Sequence, residues 1–247
     1  MKKLKTILAL MLVAFTVNAQ TYSYDVNHDG EVTIKDVMCI VNNILGFPNP
    51  GEGIQAYLTC PDENHPHLID LGLPSGTKWA CCNVGANQPE ASGGYYAWGE
   101  TEVKANYNWG TYTHCNGSEA TCHDLGEDIA RTQYDVAHVK WGSSWVMPTS
   151  VQQQELLDKC TSTWTIQNDV PGRLFIGQNG GRIFVPATGR RWNDRVISGG
   201  SNGFYWSSTQ SPTLSNCSYI LSFGSANAEV SATYYRGNGL CVRPVSK

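Results

Sequence analysis

From Leu68 onward no apolar run is long. "RLFIG", "RIFVPATG", "GFYWSST", "SYILSFG" and "GLCVRPV" are each bounded closely by a glycine, a proline or a polar turn. Runs so short make strands more readily than helices, and the punctuation between them makes turns. "LIDLGLPSGTKWACCNVG" reads as a strand, a Pro-Ser-Gly turn and a returning strand. Two segments break the pattern, and "DIARTQYDVAHVKWG" and "PTSVQQQELLDKC" read as helices. In the second, Thr149 or Ser150 is placed to cap the orphan amides, with Val151, Leu156 and Leu157 facing inward. Many short strands with two embedded helices predict an α+β domain, and its first and last strands are candidates to pair and close it.

Glycine and aromatic usage sharpens this picture. With 25 glycines, eight tryptophans and twelve tyrosines, the frame is turn-rich and anchored by rings. Trp79, Trp98, Trp141, Trp145 and Trp206 lie within regular segments and are expected in the core. Trp109, Trp192, Tyr234 and Tyr235 sit in polar, loop-like surroundings and are expected at the surface.

The N-terminus reads as an export signal covering residues 1–19. Lys2, Lys3 and Lys5 form a positive start, "ILALMLVAF" is apolar but too short to span a bilayer, and "VNA" offers a cleavage point between Ala19 and Gln20. No cysteine follows the apolar core, which argues against a lipid anchor, and no other stretch approaches a transmembrane length. The chain is therefore expected in the periplasm, at the cell surface or secreted. Loss of three lysines leaves 14 basic against 21 acidic residues, a charge of -7 that argues against nucleic acid or an anionic membrane as partner.

Next comes "DVNHDGEVTIKD", residues 25–36. Asp25, Asn27, Asp29, Thr33 and Asp36 place side-chain oxygens at alternating loop positions and at the closing position, and Glu31 adds its main-chain carbonyl. Gly30 falls where such a loop turns sharply. Calcium, a hard cation taking six to eight oxygens, needs a segment that wraps it in this way. Ile34, Val37, Ile40 and Ile44 then recur at helical spacing, Gly46 suits the helix end and Pro48 forbids continuation. This loop and helix, within residues 20–47, resemble the calcium-binding repeat of dockerin modules, an EF-hand-like unit. Dockerins that bind cohesins carry two repeats, and nothing between residues 47 and 67 repeats the pattern, which argues against cohesin as partner. Residues 48–67 read as a linker, and His65 and His67 beside Asp62 and Glu63 are read as its polar surface rather than as a metal cluster.

Residues 68–247 resemble the Fibrobacter succinogenes major paralogous domain. "DLGLPSGTKWA", "YYAWGET", "DVAHVKWGSSWVMPT", "IFVPATG", "GFYWSST" and "LCVRPV" occur in that family's order, with Val146 standing where an arginine is expected. The resemblance implies a C-type-lectin-like architecture, and with it a non-catalytic recognition or adhesion role toward an extracellular glycan or a surface protein. Related frames are sometimes diversified near the C-terminal end. Residues 190–236 combine Gly-, Asn- and Ser-rich loops with aromatics, and Trp192, Tyr234, Tyr235 and Arg236 are the expected ligand contacts. One alternative function is an accessory component of a polysaccharide-degrading system, docked through the dockerin-like repeat.

Nine cysteines in an exported chain suggest disulfides. Cys115 and Cys122 make a plausible loop staple, and Cys217 and Cys241 flank an apparent long hairpin, so both pairs are expected bridges. Spacing alone leaves the connectivity open, and several cysteines remaining as buried thiols is the competing account. No HExxH, GxSxG, phosphate loop or CxxC is present. A formylglycine-generating-oxidase-like enzyme, using Cys217 and Cys241, is the catalytic alternative. The carboxylates of Glu100 and Glu102 suggest glycoside hydrolysis only if their geometry is right, and a solvated loop is the preferred account.

Overall fold

The structure is a computed structural model and describes residues 68–246. The expected signal peptide, the expected calcium loop of Asp25, Asn27, Asp29, Glu31, Thr33 and Asp36, the helix expected after it and the expected linker lie outside the described residues. Among the described residues, small antiparallel sheets, two α-helices and one 3₁₀ turn make up the regular structure. Strands β1 (Leu68–Asp70) and β2 (Lys78–Ala80) flank the expected turn, and β11 (Val245–Ser246) pairs with β2 through Val245 opposite Trp79. The first and last strands thus share one sheet.

A second sheet is the meander β3 (Thr161–Gln167), β4 (Val170–Ile176) and β5 (Arg182–Pro186). The short hairpin β6 (Arg190–Trp192) and β7 (Arg195–Ile197) turns at Asn193, whose φ of 54° suits an asparagine. The largest strands, β8 (Gly203–Gln210), β9 (Cys217–Phe223) and β10 (Ala228–Tyr235), form a sheet in the order β10–β9–β8. Because side chains alternate along a strand, this sheet feeds two cores. Trp206 and Ile220 join Trp98, Trp141 and Trp145 on one side, while Tyr205, Leu221 and Phe223 join Trp79, Leu156 and Phe175 on the other. All five tryptophans expected inside are buried.

The helices are α1 (Val136–Trp141) and α2 (Ser150–Lys159). α1 is shorter than its sequence pattern suggests because Asp135 caps it. Its carboxylate accepts the N–H groups of Ala137 and His138 and also reaches back to Arg131 and across to Met147. α2 starts with a capping box between Thr149 and Gln152. Its inward face differs from expectation: Leu156 is buried and Leu157 half-buried, but Val151 is 75 % exposed. Gln153 is buried instead, and its Nε2 donates to the carbonyls of Tyr205 and Trp206. Main-chain oxygens midway along β8 need a donor there, and valine has none.

Between β2 and α1, residues 81–135 contain one 3₁₀ turn (Glu119–Thr121) and no named strand. Side chains satisfy many of the main-chain groups there. Trp206 Nε1 donates to the Tyr96 carbonyl at 2.7 Å, and the Tyr112 hydroxyl donates to the Trp98 carbonyl at 2.7 Å. Arg243, 1 % exposed, donates to Asn83 Oδ1 and to the carbonyls of Ala80, Cys81 and Pro89. An Arg243→Met substitution keeps much of the bulk and strands those acceptors, each worth about 1–3 kcal/mol when buried unpaired. We expect urea unfolding to show a loss of at least about 2 kcal/mol. A wild-type midpoint would refute the clamp.

Candidate ligand-binding site

A turn at residues 99–104 follows the buried Trp98. Gly99 takes φ 82°, and a Cβ there would come within 2.6 Å of Leu125 Cδ1, so only glycine fits. The turn is closed by charge. Glu100 Oε2 stands 2.6 Å from Lys104 Nζ, while Oε1 accepts the Thr113 amide at 2.8 Å and the Thr113 hydroxyl at 3.0 Å. Lys104 also donates to the Thr111 carbonyl and lies over the rings of Tyr107 and Tyr112. Both charged groups are therefore committed to holding the turn against the 111–114 segment.

Beside this turn opens a cavity of about 510 Å³, whose lining includes Glu102, Val103, His114, Gln133 and Tyr134. Glu102 pairs with Lys140 at 3.0 Å from an exposed position. His114 is half-buried, with Nε2 at 3.0 Å from the Gly99 carbonyl and its ring edge-on to Tyr112 and Tyr134. Since a carbonyl only accepts, Nε2 carries the proton and the neutral ring keeps Nδ1 as an acceptor. The Cys115–Cys122 disulfide forms as expected and staples the next loop, where the His123 amide donates to the His114 carbonyl. Among the described residues, no group of three or more His, Cys, Asp and Glu is placed to hold a metal ion.

The structure separates the residues expected to contact ligand. Tyr235 is 46 % exposed and stands edge-on to Trp109, with ring centroids 5.7 Å apart. Trp192 is half-buried on β6. Tyr234 turns toward the core, stacked on Phe204 and edge-on to Trp206. Arg236 requires correction, because it is fully buried and cannot be a surface contact. Its guanidinium lies 4.6 Å from the Trp98 ring centroid, and it donates to the Tyr112 hydroxyl and to the carbonyls of His123 and Ser215. The planar fork of arginine suits several loop acceptors at once.

The expected bridge between Cys217 and Cys241 is also corrected: both are free, buried thiols. Tyr205 on β8 pairs with Leu221 of β9 on one side and bridges to Cys241 on the other, so β8 stands between Cys241 and β9. Burial pushes the thiols up to about 11 for Cys217 and about 12 for Cys241. They offer no paired, ionised sulfur of the kind the oxidase alternative would use.

Sequence reading missed His114 and Tyr134, which lie far in sequence from the aromatic C-terminal loops. Two signals pointed toward them: the i,i+4 pair of Glu100 and Lys104, and the cysteine adjoining His114. No family model matches the chain, and no curated protein or solved structure matches it either.

Burial holds the pKa of His114 below its usual value, outweighing the Gly99 carbonyl and the Glu100 carboxylate, which favour the proton. As pH falls through about 6.5 the unfolded chain takes up a proton at this position that the folded chain resists. This contribution to stability is therefore complete above that pH and is lost progressively toward the lower folded value. Thermal melts between neutral and mildly acid pH should fall more steeply for wild type than for His114→Gln. Parallel profiles would contradict the assignment.

Proposed function

We propose that the chain is an exported, calcium-binding recognition or adhesion protein without catalytic activity. Its large domain is of the Fibrobacter succinogenes major paralogous, C-type-lectin-like kind, and it takes ligand in the cavity beside the 99–104 turn. One observation carries the placement of the ligand. In the cavity wall Glu100 and Lys104 are spent on the turn, while the exposed Glu102, of which one oxygen meets Lys140, the half-buried ring of His114, the exposed Gln133 and the ring of Tyr134 line the open space. A concave site with a few convergent polar groups on a rigid frame is the usual form of a small-ligand site. The order of the motifs supports the family reading, and the apolar N-terminal stretch supports export.

The mature chain should capture its ligand, an extracellular glycan or a surface protein, on immobilised arrays of both. A Glu102→Gln/Tyr134→Ala double variant should lose at least tenfold in affinity, about 1.4 kcal/mol, with its melting temperature nearly unchanged. Undiminished capture by the variant would exclude the cavity.

Calcium belongs to the N-terminal loop, where Asp25, Asn27, Asp29, Thr33 and Asp36 and the Glu31 carbonyl form the donor set. All are oxygens, as a hard cation requires, and the bound ion would offset the repulsion among the carboxylates and order the following helix. Calorimetry should register one calcium site in the mature wild type and none in Asp25→Ala/Asp36→Ala. Equal uptake by the two proteins would refute it.

A further inference from the structure

Five aromatic rings stand edge to face in an unbroken row that leaves the cavity. From Tyr134 the row passes His114 at 5.2 Å, Tyr112 at 5.5 Å, Trp109 at 6.0 Å and Tyr235 at 5.7 Å. Its middle is fixed: Tyr112 is 2 % exposed, donates to the Trp98 carbonyl and accepts from Arg236 Nε. Its ends reach solvent, with Tyr134 and Trp109 half-buried and Tyr235 exposed. The 109–114 segment links the ends, and within it Gly110, Thr111 and Thr113 are exposed, small and polar.

We propose that the cavity and the Trp109–Tyr235 pair are the two ends of one binding track for a neutral, linear oligosaccharide. This rests on the reading of the cavity as the ligand site. Along the track the charges are already paired, Glu100 with Lys104 and Glu102 with Lys140, so no unpaired charge is set out for an ionic ligand. What remains suits a sugar: the second carboxylate oxygen of Glu102 and the exposed amide of Gln133 for hydroxyl groups, and rings for the C–H faces of pyranoses.

The distribution of apolar surface favours a sugar chain over a protein. A protein interface gathers its apolar and aromatic contacts at a central patch within a polar rim. Here the chain that joins the two ends, from Trp109 to His114, exposes the polar Thr111 and Thr113. A chain of sugar rings, each with an apolar face and a hydroxyl edge, matches that alternation.

The far end is also pre-ordered. Trp109 lies against Gly237, where a Cβ would come within 3.1 Å of the indole. Beside it, Asn108 Nδ2 donates to Asn193 Oδ1 at 2.9 Å, which ties the tip of the β6–β7 hairpin to the platform. A ring held in place by packing loses little freedom when ligand stacks on it.

The test is titration calorimetry of the mature protein with glucose, mannose and xylose and with their linear oligomers of about two to six units, beside Trp109→Ala and Tyr235→Ala. In at least one series, wild-type affinity should rise about tenfold or more from the dimer to the longest oligomer. Trp109→Ala should abolish that rise and leave dimer binding intact. The exposed Tyr235→Ala should reduce the rise without altering thermal stability, and serves if Trp109→Ala fails to fold. Binding of no series, binding that does not strengthen with length, or a rise untouched by either substitution overturns the track. Capture of a surface protein that the cavity double variant abolishes would keep the cavity as the ligand site and still overturn the sugar track.

Discussion

Donation from buried side chains to main-chain carbonyls is the interaction on which this domain depends. An unpaired carbonyl in a core costs about as much as a lost hydrogen bond, and ladders and helices normally remove the problem. Residues 81–135 make little use of either. Indoles, phenols and guanidinium groups do the work instead: Trp206 donates to Tyr96, Tyr112 to Trp98, Tyr107 to Tyr95, Arg236 to His123, and Arg243 to Cys81 and Pro89. Each of these side chains brings apolar bulk with a polar tip, so one residue fills the core and closes a loop. The high tryptophan and tyrosine content follows from this requirement.

The site is a by-product of the same device. The 99–104 turn begins at the carbonyl end of Trp98, which the Tyr112 hydroxyl holds, and Arg236 in turn bonds Tyr112 and the loop beyond the disulfide. The cavity wall is therefore backed by a hydrogen-bonded core rather than by a sheet. This rigidity is what a set of converging polar groups needs in order to recognise one shape.

Strand segments, helix caps and the tryptophan core were legible in the sequence because each depends on local pattern. Thr149 caps α2, the five tryptophans of regular segments are buried, and the closing strand finds β2. What was illegible depends on partners distant in the chain. Gln153 looks like a surface residue until the carbonyls of Tyr205 and Trp206 are placed beneath it, and Arg236 looks like a ligand contact until Trp98 and Tyr112 enclose it. The Cys217–Cys241 expectation failed because flanking a hairpin in sequence does not put two residues on one side of its strands. The cavity was illegible for a similar reason, since its wall is assembled from residues near 100, 114 and 134.

The placement of β11 bears on how the domain is fastened. Residues 240–246 fill both cores and bind distant loops: Val242 accepts from Val84, Pro244 from Ala80, and Val245 exchanges both bonds with Val146. A chain cut before residue 240 would lack both the strand that closes its first sheet and the arginine that clamps the loop after β2. The described domain is thus buckled shut at one short segment, and a nick there would loosen a loop 160 residues back along the chain.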